Sequence, residues 1–378
     1  MKTFSEYRDQ SNNVQARGSA STQYTLFPKD KYELEQMIEG ELLKQGYNAD
    51  LNHIDVSKIT DFSYLFNRSK FKGDVSRWDV SNARDMSFMF SHAFDFNCDI
   101  SDWDVSNVTD MSHMFYYARS FNQDLSGWDV SNVKYMPMMF EGASVFNGDV
   151  STWDVRNVKD MSHMFDGSSF NGNIKRWNTK NVSDMSYMFS ECAAFNMDLS
   201  RWDVSSVTNM KGMFYLCKSF NSDISRWNVS NVENMAVMFY KCIVFNQDLS
   251  SWNVSKVTDM YGIFEGAESF NQDISSWNVS NVRDMTYMFN NCNVFNHDIS
   301  NWDVSSAANM RSMFKNAKSF NQDLSEWNVS NVTNTECMFC GCESFDQDLS
   351  KWDVSNVKTY NAMFDNCPCP KERQPKFK

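Results

Sequence analysis

All twelve tryptophans of this 378-residue chain recur at one fixed spacing. They stand at Trp78, Trp103, Trp128, Trp153, Trp177, Trp202, Trp227, Trp252, Trp277, Trp302, Trp327 and Trp352. Each step is 25 residues, except that from Trp153 to Trp177, which is 24. A period of this size indicates a solenoid, in which each turn buries its apolar side only against neighbouring turns. The sequence therefore predicts one elongated repeat domain.

Within each turn we number the positions 1 to 25 from the tryptophan, with the consensus W-[DN]-V-S-N-V-x-[DN]-M-x-x-M-F-x-x-[AC]-x-x-F-N-x-D-[LIV]-S-x. Trp and Val stand two residues apart, which is typical of a strand, so x-W-[DN]-V-S is predicted to form a parallel strand ladder. The segment [DN]-M-x-x-M-F has helical spacing, with Asp110 as a candidate N-cap. The predicted fold is an α/β solenoid with a parallel strand ladder and a short helix in each turn. About thirteen turns are expected, since Ile54 begins a degenerate first turn.

The ends of the chain depart from this repeat. Asp30 and Glu33 form a capping box after Pro28, and Gly46 is a candidate C-cap, so a helix is expected between them to cover the first turn. The predicted division is 1–23 as a flexible N-terminal arm, 24–50 as an N-terminal cap with this helix, 51–366 as the repeat solenoid and 367–378 as a C-terminal tail.

Composition and charge exclude several classes of function. A net charge of −13 opposes binding to phosphate backbones, so no nucleic-acid partner is expected. No apolar run approaches the roughly 20 residues of a membrane span, so no membrane insertion is expected. The N-terminus has no apolar signal-peptide core, which leaves the location of the protein undetermined from its residues.

The repeat resembles a known family. WDVSNVTDMSHMF followed by FNQDLSGWDVSNV is similar to the BspA-like surface-protein repeats of bacteria, in particular to the mycoplasma-lipoprotein type of 25-residue repeat. That repeat is a divergent relative of the leucine-rich repeat, and the similarity covers about Leu51 to Asn366. The resemblance implies a leucine-rich-repeat-like fold, a binding role and a cell-surface location. A similar repeat on a phage or virus particle would need no leader.

Two ladders of polar residues accompany the F-N-x-D motif. The carboxylates are Asp99, Asp124, Asp149, Asp198, Asp223, Asp248, Asp273, Asp298, Asp323 and Asp348, behind amides such as Asn97, Asn122, Asn147, Asn196 and Asn221. Stacked oxygens of this kind could hold calcium. We favour a structural role instead, in which Asn side chains bond along the stack and Asp accepts turn N–H groups. No cofactor is predicted.

Cysteines share position 16 with alanine, as in Cys192 and Ala118, which indicates a small buried side chain rather than a catalytic one. Five cysteines are concentrated near the C-terminus: Cys337, Cys340, Cys342, Cys367 and Cys369. They could bind a metal such as zinc, form a disulfide or remain free thiols. His113 and His163 share a position two turns apart, but no nucleophile elbow or phosphate loop is present, so an enzyme is not predicted.

Specificity is expected in the variable positions. Arg176, Arg201 and Arg226 stand at position 25 of consecutive turns and should form a basic stripe flanked by Asp203. This stripe is either a solvated strip or the contact for an acidic protein or a glycan. Tyr187 and Tyr240 are candidate exposed aromatics, of a kind enriched at interfaces.

The sequence therefore predicts a non-enzymatic binding or adhesion solenoid that recognises a protein or glycan on a cell or virus surface. The alternative is a structural or assembly component of a larger particle, for example a phage virion. Such a component would self-associate or dock through the N-terminal arm or the C-terminal edge.

Overall fold

The computed structural model describes residues 23–377, so the predicted arm 1–23 lies outside the described residues except for its last position. One α-helix, α1, spans Lys31–Gln45, and one short 3-10 helix spans Lys371–Arg373. The Asp30 carboxylate accepts the Glu33 N–H at 2.9 Å, and the Gly46 N–H donates to the Leu42 carbonyl at 2.8 Å. Both caps are as predicted. Neither helix has the length and hydropathy needed to cross a bilayer.

Helix α1 covers the N-terminal end of the stack. Leu34 and Ile38 are buried in the same hydrophobic core as the repeats. On the exposed side, Lys31 Nζ lies 2.6 Å from Ser63 Oγ and 3.1 Å from Asp61 Oδ1 of the degenerate first turn. This contact supplies the apolar and polar partners that the terminal turn would otherwise lack.

The turns themselves contain neither of the predicted elements. Between α1 and Lys371–Arg373 the described chain has no helix and no strand, so the predicted strand ladder and the helix in each turn are wrong. Apart from the bridges Leu26–Ile54 and Asp50–Asp74 at the N-terminal end, parallel pairing in the described chain is reduced to one isolated bridge per turn at position 8. It runs through Asp61, Asp85, Asp110, Tyr135, Asp160, Asp184, Asn209, Asn234, Asp259, Asp284, Asn309, Asn334 and Thr359. What stacks is a series of tight turns linked at one edge.

The W-[DN]-V-S segment is not extended because its polar residues close turns. Asp129 Oδ1 accepts the Ser131 N–H at 2.9 Å, and the Val133 N–H donates to the Val130 carbonyl at 2.9 Å. Such Asx and β-turn bonds use the N–H groups that a strand would donate to its neighbour.

The M-x-x-M-F segment is not helical because every second N–H group donates to the next turn, while the N–H groups between them close tight turns within their own turn. His163 N–H donates to the Ser186 carbonyl at 2.8 Å and Phe165 N–H to the Met188 carbonyl at 3.0 Å, where a helix would use residues of its own turn. Positive φ angles, 54° at His163 and 67° at Gly167, alternate the direction of the backbone. A non-glycine residue in this region costs roughly 1–2 kcal/mol, which the bonds between turns offset.

The core is a spine of stacked aromatic side chains. The Phe165 ring lies 5.7 Å from Phe140 and 5.8 Å from Phe189 by centroid, and Trp153 lies 6.1 Å from Trp177. Each of the twelve tryptophans also donates its Nε1–H to a main-chain carbonyl 27 or 28 residues earlier in the chain. The spine therefore buries indole rings without leaving their donors unpaired.

The Asn and Asp ladders of the F-N-x-D motif form the hydrogen bonds of the stack, which is the structural role that we favoured. Asn122 Oδ1 accepts the Asn147 N–H of the next turn at 2.7 Å, and Asp124 Oδ1 accepts the Ser126 N–H at 2.8 Å. The amides therefore bond along the stack, while the carboxylates satisfy N–H groups within their own turns.

Five of the six position-16 cysteines are buried, as expected, and Cys367 in the last turn is partly exposed. Cys217 Sγ–H donates to the Phe189 carbonyl of the preceding turn at 2.8 Å. All ten cysteines are free thiols, so the disulfide alternative at the C-terminus is wrong.

The C-terminal edge of the stack is partly covered by the chain itself. The Leu349 N–H donates to the Arg373 carbonyl at 2.8 Å, and Arg373 Nη1 donates to the Asp346 carbonyl at 2.7 Å. The Phe377 ring stacks on Tyr360 at 4.1 Å. This tail occupies part of the surface that the assembly hypothesis needs.

Candidate binding surface

One turn departs from the repeat in both length and chemistry. We term residues 153–176 the short turn, because it has 24 residues. Lys175 and Asn173 are the only exceptions, among the eleven turns that begin at Trp78 through Trp327, to Ser at position 24 and Asp at position 22. Arg156 and the following Lys180 are likewise the only exceptions to Ser at position 4. The short turn therefore differs from the other complete turns at positions where those turns have a constant residue.

Two adjoining grooves lie beside the short turn. The first has a volume of about 580 Å³ and is lined by residues that include Thr152, Asp154, Arg156, Asn173 and Arg176. The second has a volume of about 480 Å³ and is lined by residues that include Lys175, Arg176, Thr179, Arg201 and Asp203. Arg176 lines both grooves. We term Arg176, Arg201 and the two grooves the basic edge.

The cations of this surface differ in their partners. Arg156 Nη2 lies 2.7 Å from Asp154 Oδ2, and Lys175 forms an ion pair with Asp198. Arg176 and Arg201 are exposed, and neither forms an ion pair within residues 23–377. Their guanidinium groups are therefore free to bind a planar anion such as a carboxylate.

Arg226 and Asp203 have smaller roles at this surface. Arg226 is exposed one turn further on but lines neither groove. Asp203 Oδ1 accepts Ser205 Oγ–H at 2.6 Å and the Ser205 N–H at 3.0 Å, and these hydrogen bonds lower the pKa of Asp203. Asp203 is thus held as an anion on its own turn, without neutralising Arg201.

The predicted tyrosines lie elsewhere on the turns. Tyr187 is at position 11, where its ring stacks on His163 at 4.8 Å. Tyr240 is at position 14 and stacks on Tyr215 at 4.6 Å. Neither ring lines the grooves of the basic edge, so the structure does not bring the predicted arginines and tyrosines into one site.

The C-terminal cysteines do not assemble a metal centre. Cys342 donates to the Phe314 carbonyl at 2.8 Å and Cys367 to the Phe345 carbonyl at 3.3 Å. Within residues 23–377, no three ligand atoms from Cys337, Cys340, Cys342, Cys367 and Cys369 lie within 4.8 Å of one another. Burial also raises the pKa of the Cys342 thiol, which opposes thiolate formation.

A different cluster does bring metal-ligating groups together. His163 Nδ1 lies 2.9 Å from Asp166 Oδ2 and 3.8 Å from Glu141 Oε2. We term Glu141, His163 and Asp166 the acid–histidine cluster. Burial raises the pKa of Glu141 to about 7. Burial alone would lower the pKa of His163, but the hydrogen bond and charge of Asp166 raise it.

Sequence reasoning missed this cluster, although the period contains a signal for it. Glu141 and Asp166 are 25 residues apart and share position 14, and His163 stands three residues before Asp166. The sequence does not show that the side chains at positions 11 and 14 face each other, because this depends on the path of the backbone in each turn. A helix in this segment would also place positions 11 and 14 close together, but the segment is not helical.

The architecture defines a solenoid of 25-residue turns, and family comparison agrees. The chain belongs to the family described as "Mycoplasma protein of unknown function, DUF285", which matches residues 33–153, 138–243, 184–298 and 272–376. The predicted membership in a mycoplasma-type repeat family is confirmed. No curated protein matches the chain.

Solved leucine-rich-repeat structures are similar at low identity. A leucine-rich repeat protein from Bacteroides ovatus is 12% identical, with TM-score 0.31 and coverage of 82% of this chain and 77% of that one. An LRR protein of Leptospira interrogans is 7% identical, with TM-score 0.20 and coverage of 92% and 96%. The TLR13–ssRNA13 complex is 11% identical, with TM-score 0.22, and 93% of this chain spans 58% of that chain.

Proposed function

We propose that this solenoid is a non-enzymatic binding scaffold that holds an acidic segment of a partner protein along the basic edge. The observation that carries the proposal is Arg176, an exposed cation that has no ion-pair partner among the described residues and lines two consecutive grooves. Arg201 lines the second groove in the same state. In a chain of net charge −13, unpaired guanidinium groups at a groove favour carboxylates as ligands.

The spacing of the turns favours an extended peptide. Trp177 and Trp202, which follow Arg176 and Arg201, are 6.3 Å apart by ring centroid. Alternate residues of an extended chain are about 6.7 Å apart and point to the same side. Carboxylates at every second residue of a partner strand therefore match the repeat of the basic edge.

The test uses a fluorescent ten-residue peptide of alternating Glu and Ser, with binding followed by anisotropy at two salt concentrations. Replacing Arg176, Arg201 and Arg226 together with Ser should weaken binding by at least about tenfold, since each exposed ion pair contributes up to ~1 kcal/mol. Ser is compatible with the fold, because Ser251 and Ser276 occupy the same position.

The matched control is Arg77→Ser. Arg77 has the same turn position, but its Nη2 lies 3.7 Å from Asp50 Oδ2. This variant should bind the peptide as the parent does. Equal binding by the parent and the triple variant would show that the basic edge is not the site.

The resemblance to bacterial surface repeats supports a partner on a cell or virus surface, with adhesion as the role. An anionic glycan offers the same carboxylate chemistry, so an oligouronate is the second probe. Tighter binding of the oligouronate than of the peptide, lost in the triple variant, would reassign the ligand from protein to glycan.

The assembly alternative would use the arm 1–23, which lies outside the described residues but for its last position, or the C-terminal edge. Arg373 and Phe377 partly cover that edge, and this contact favours the binding scaffold over docking through the C-terminal edge.

A further inference from the structure

The acid–histidine cluster joins two consecutive turns. Glu141 comes from the turn that begins at Trp128, whereas His163 and Asp166 come from the short turn. The backbone ties these positions together, since the Gly142 N–H donates to the Asp166 carbonyl at 2.7 Å. His163 is held by its own N–H bond to Ser186 and by stacking on Tyr187. The three side chains are therefore positioned before any ligand arrives.

Their geometry suits a single cation. One ligand atom from each residue, the imidazole Nδ1 and two carboxylate oxygens, lies within 4.8 Å of the others. In a tetrahedral site with bonds of about 2.1 Å, ligand atoms are roughly 3.4 Å apart, between the 2.9 Å and 3.8 Å found here. The side chains are 18–27% exposed, so an ion can reach them from solvent.

A second observation points to a missing partner. Glu141 Oε2 is buried from solvent and accepts no hydrogen bond from residues 23–377, since His163 Nδ1 lies 3.8 Å away, beyond hydrogen-bond distance. An unpaired buried carboxylate oxygen is unfavourable by roughly 1–3 kcal/mol or more. Asp166 adds electrostatic repulsion, because it places a second carboxylate next to Glu141. A cation would satisfy the open oxygen and neutralise both acids.

The same position elsewhere shows how this fold satisfies a carboxylate without a cation. Glu265 also stands at position 14, and its Oε1 accepts the Asn290 Nδ2–H of the next turn at 2.9 Å. At the acid–histidine cluster the next turn supplies Asp166 instead of an amide donor. The pair Glu265–Asn290 is thus an internal comparison for the pair Glu141–Asp166.

We propose that Glu141, His163 and Asp166 bind one divalent transition-metal ion, with Zn²⁺ the best match, and that the ion links the short turn to the turn before it. An imidazole with two carboxylates favours Zn²⁺ over Mg²⁺ or Ca²⁺, which prefer all-oxygen sites. On binding, the metal replaces the proton on His163 Nδ1, and a water completes the four-coordinate shell. The site revises the sequence-based prediction of a chain without cofactors and does not depend on the proposed function.

The test is Zn²⁺ titration of the full chain after removal of metal with a chelator, followed by calorimetry and by thermal unfolding. The parent should bind one equivalent and gain thermal stability, because a ligand that binds only the folded state stabilises it. Glu141→Gln and His163→Gln should each weaken binding by at least about tenfold and abolish the gain in stability. Glu265→Gln should behave as the parent.

A second background removes the competing thiols. Cys337 and Cys340 are only partly buried and could bind Zn²⁺ themselves, so the titration is repeated with both replaced by Ser. Retention of the equivalent in this background, with loss in Glu141→Gln, supports the site. Loss in the Cys variant alone, or no zinc-dependent stabilisation of the parent, overturns it. Circular dichroism checks that each variant is folded.

Discussion

The short turn and a regular turn, such as residues 252–276, share one core but present different surfaces. Phe165 of the short turn and Phe264 of the regular turn stack on their neighbours at almost the same distances, 5.7 and 5.8 Å. At the turn ends, however, Lys175 and Arg176 replace Ser275 and Ser276. Ser276 Oγ–H donates to the Ser250 carbonyl at 2.7 Å, whereas Arg176 projects free into two grooves. The difference separates the residues that hold the stack from those that face a partner.

The largest expected effect should be the same in both turns. Phe165→Ala and Phe264→Ala each remove a fully buried ring from the spine, which costs about 3–5 kcal/mol. Chemical denaturation of the two variants measures the losses. A difference above ~1 kcal/mol between the two losses would contradict the conclusion that the short turn and the regular turn have equivalent cores.

The next effect depends on pH and distinguishes Glu141 from Glu265. Burial raises the pKa of Glu141 from 4.5 to about 7, so in the metal-free protein the unfolded state releases this proton at lower pH than the folded state. Folding stability is therefore lost as the pH rises from 4.5 through about 7, and Glu141→Gln removes this loss. Relative to the parent, the variant should gain on the order of 2 kcal/mol at pH 8, after a discount for solvent screening of the partly exposed carboxyl group, and almost nothing at pH 4.

The groups that face Glu141 are His163 and Asp166, with Tyr116 on the preceding turn. Glu265→Gln is the control, because Asn290 already donates to that carboxylate and opposes the rise in its pKa. Its gain at high pH should be smaller. Unfolding free energies at several pH values, with chelator present, test both variants, and equal gains would contradict the assigned difference.

A smaller effect concerns the backbone at position 15. Gly167 (φ 67°) and Gly266 (φ 71°) both lie in the left-handed region, so Ala at either position should cost about 1–2 kcal/mol. A Cβ at Gly167 would meet no atom closer than 3.8 Å, whereas at Gly266 it would lie 2.9 Å from Lys241 Cγ. Thermal denaturation should therefore rank Gly266→Ala as slightly the less stable. The opposite order would show that the short turn is the more tightly packed.

The smallest effect on stability belongs to the proposed site. Arg176→Ser should change the free energy of unfolding by less than about 0.5 kcal/mol, because the side chain is exposed and makes no ion pair with any residue from 23 to 377. Ser251→Arg in a regular turn should be equally mild. A marked destabilisation by Arg176→Ser would assign Arg176 to the scaffold rather than to a binding surface.

The sequence predicted the stack well and the path of each turn poorly. Twelve Trp at one spacing identify the spine directly, and the exchange of Cys192 with Ala118 identifies a small buried position. The apolar spacing of Met161, Met164 and Phe165 fits a helix as well as a run of tight turns. What decides between them is where the N–H groups donate, and their acceptors lie a full period away in the chain.

The candidate surfaces were predictable only in part. Position 25 revealed Arg176 and Arg201 because a stack brings equal positions together. The same logic applied to Tyr187 and Tyr240 did not bring them to the arginines, since positions 11 and 14 lie elsewhere on the turn. Lys175 and Asn173 were identifiable as exceptions to constant positions, a signal that needs only comparison among the turns of one chain.

The tryptophan hydrogen bonds also relate the order of the turns to the order in which the chain is synthesised. Each indole donates backwards, as Trp177 does to the Val150 carbonyl at 3.0 Å, so every acceptor leaves the ribosome before its donor. A growing chain can therefore close each turn on a completed one, and a nascent chain stopped between turns has no indole waiting for a partner yet to be synthesised. Removal of turns from the N-terminus would instead strip the first remaining tryptophan of its acceptor. Translation and folding can thus proceed in step, one turn at a time.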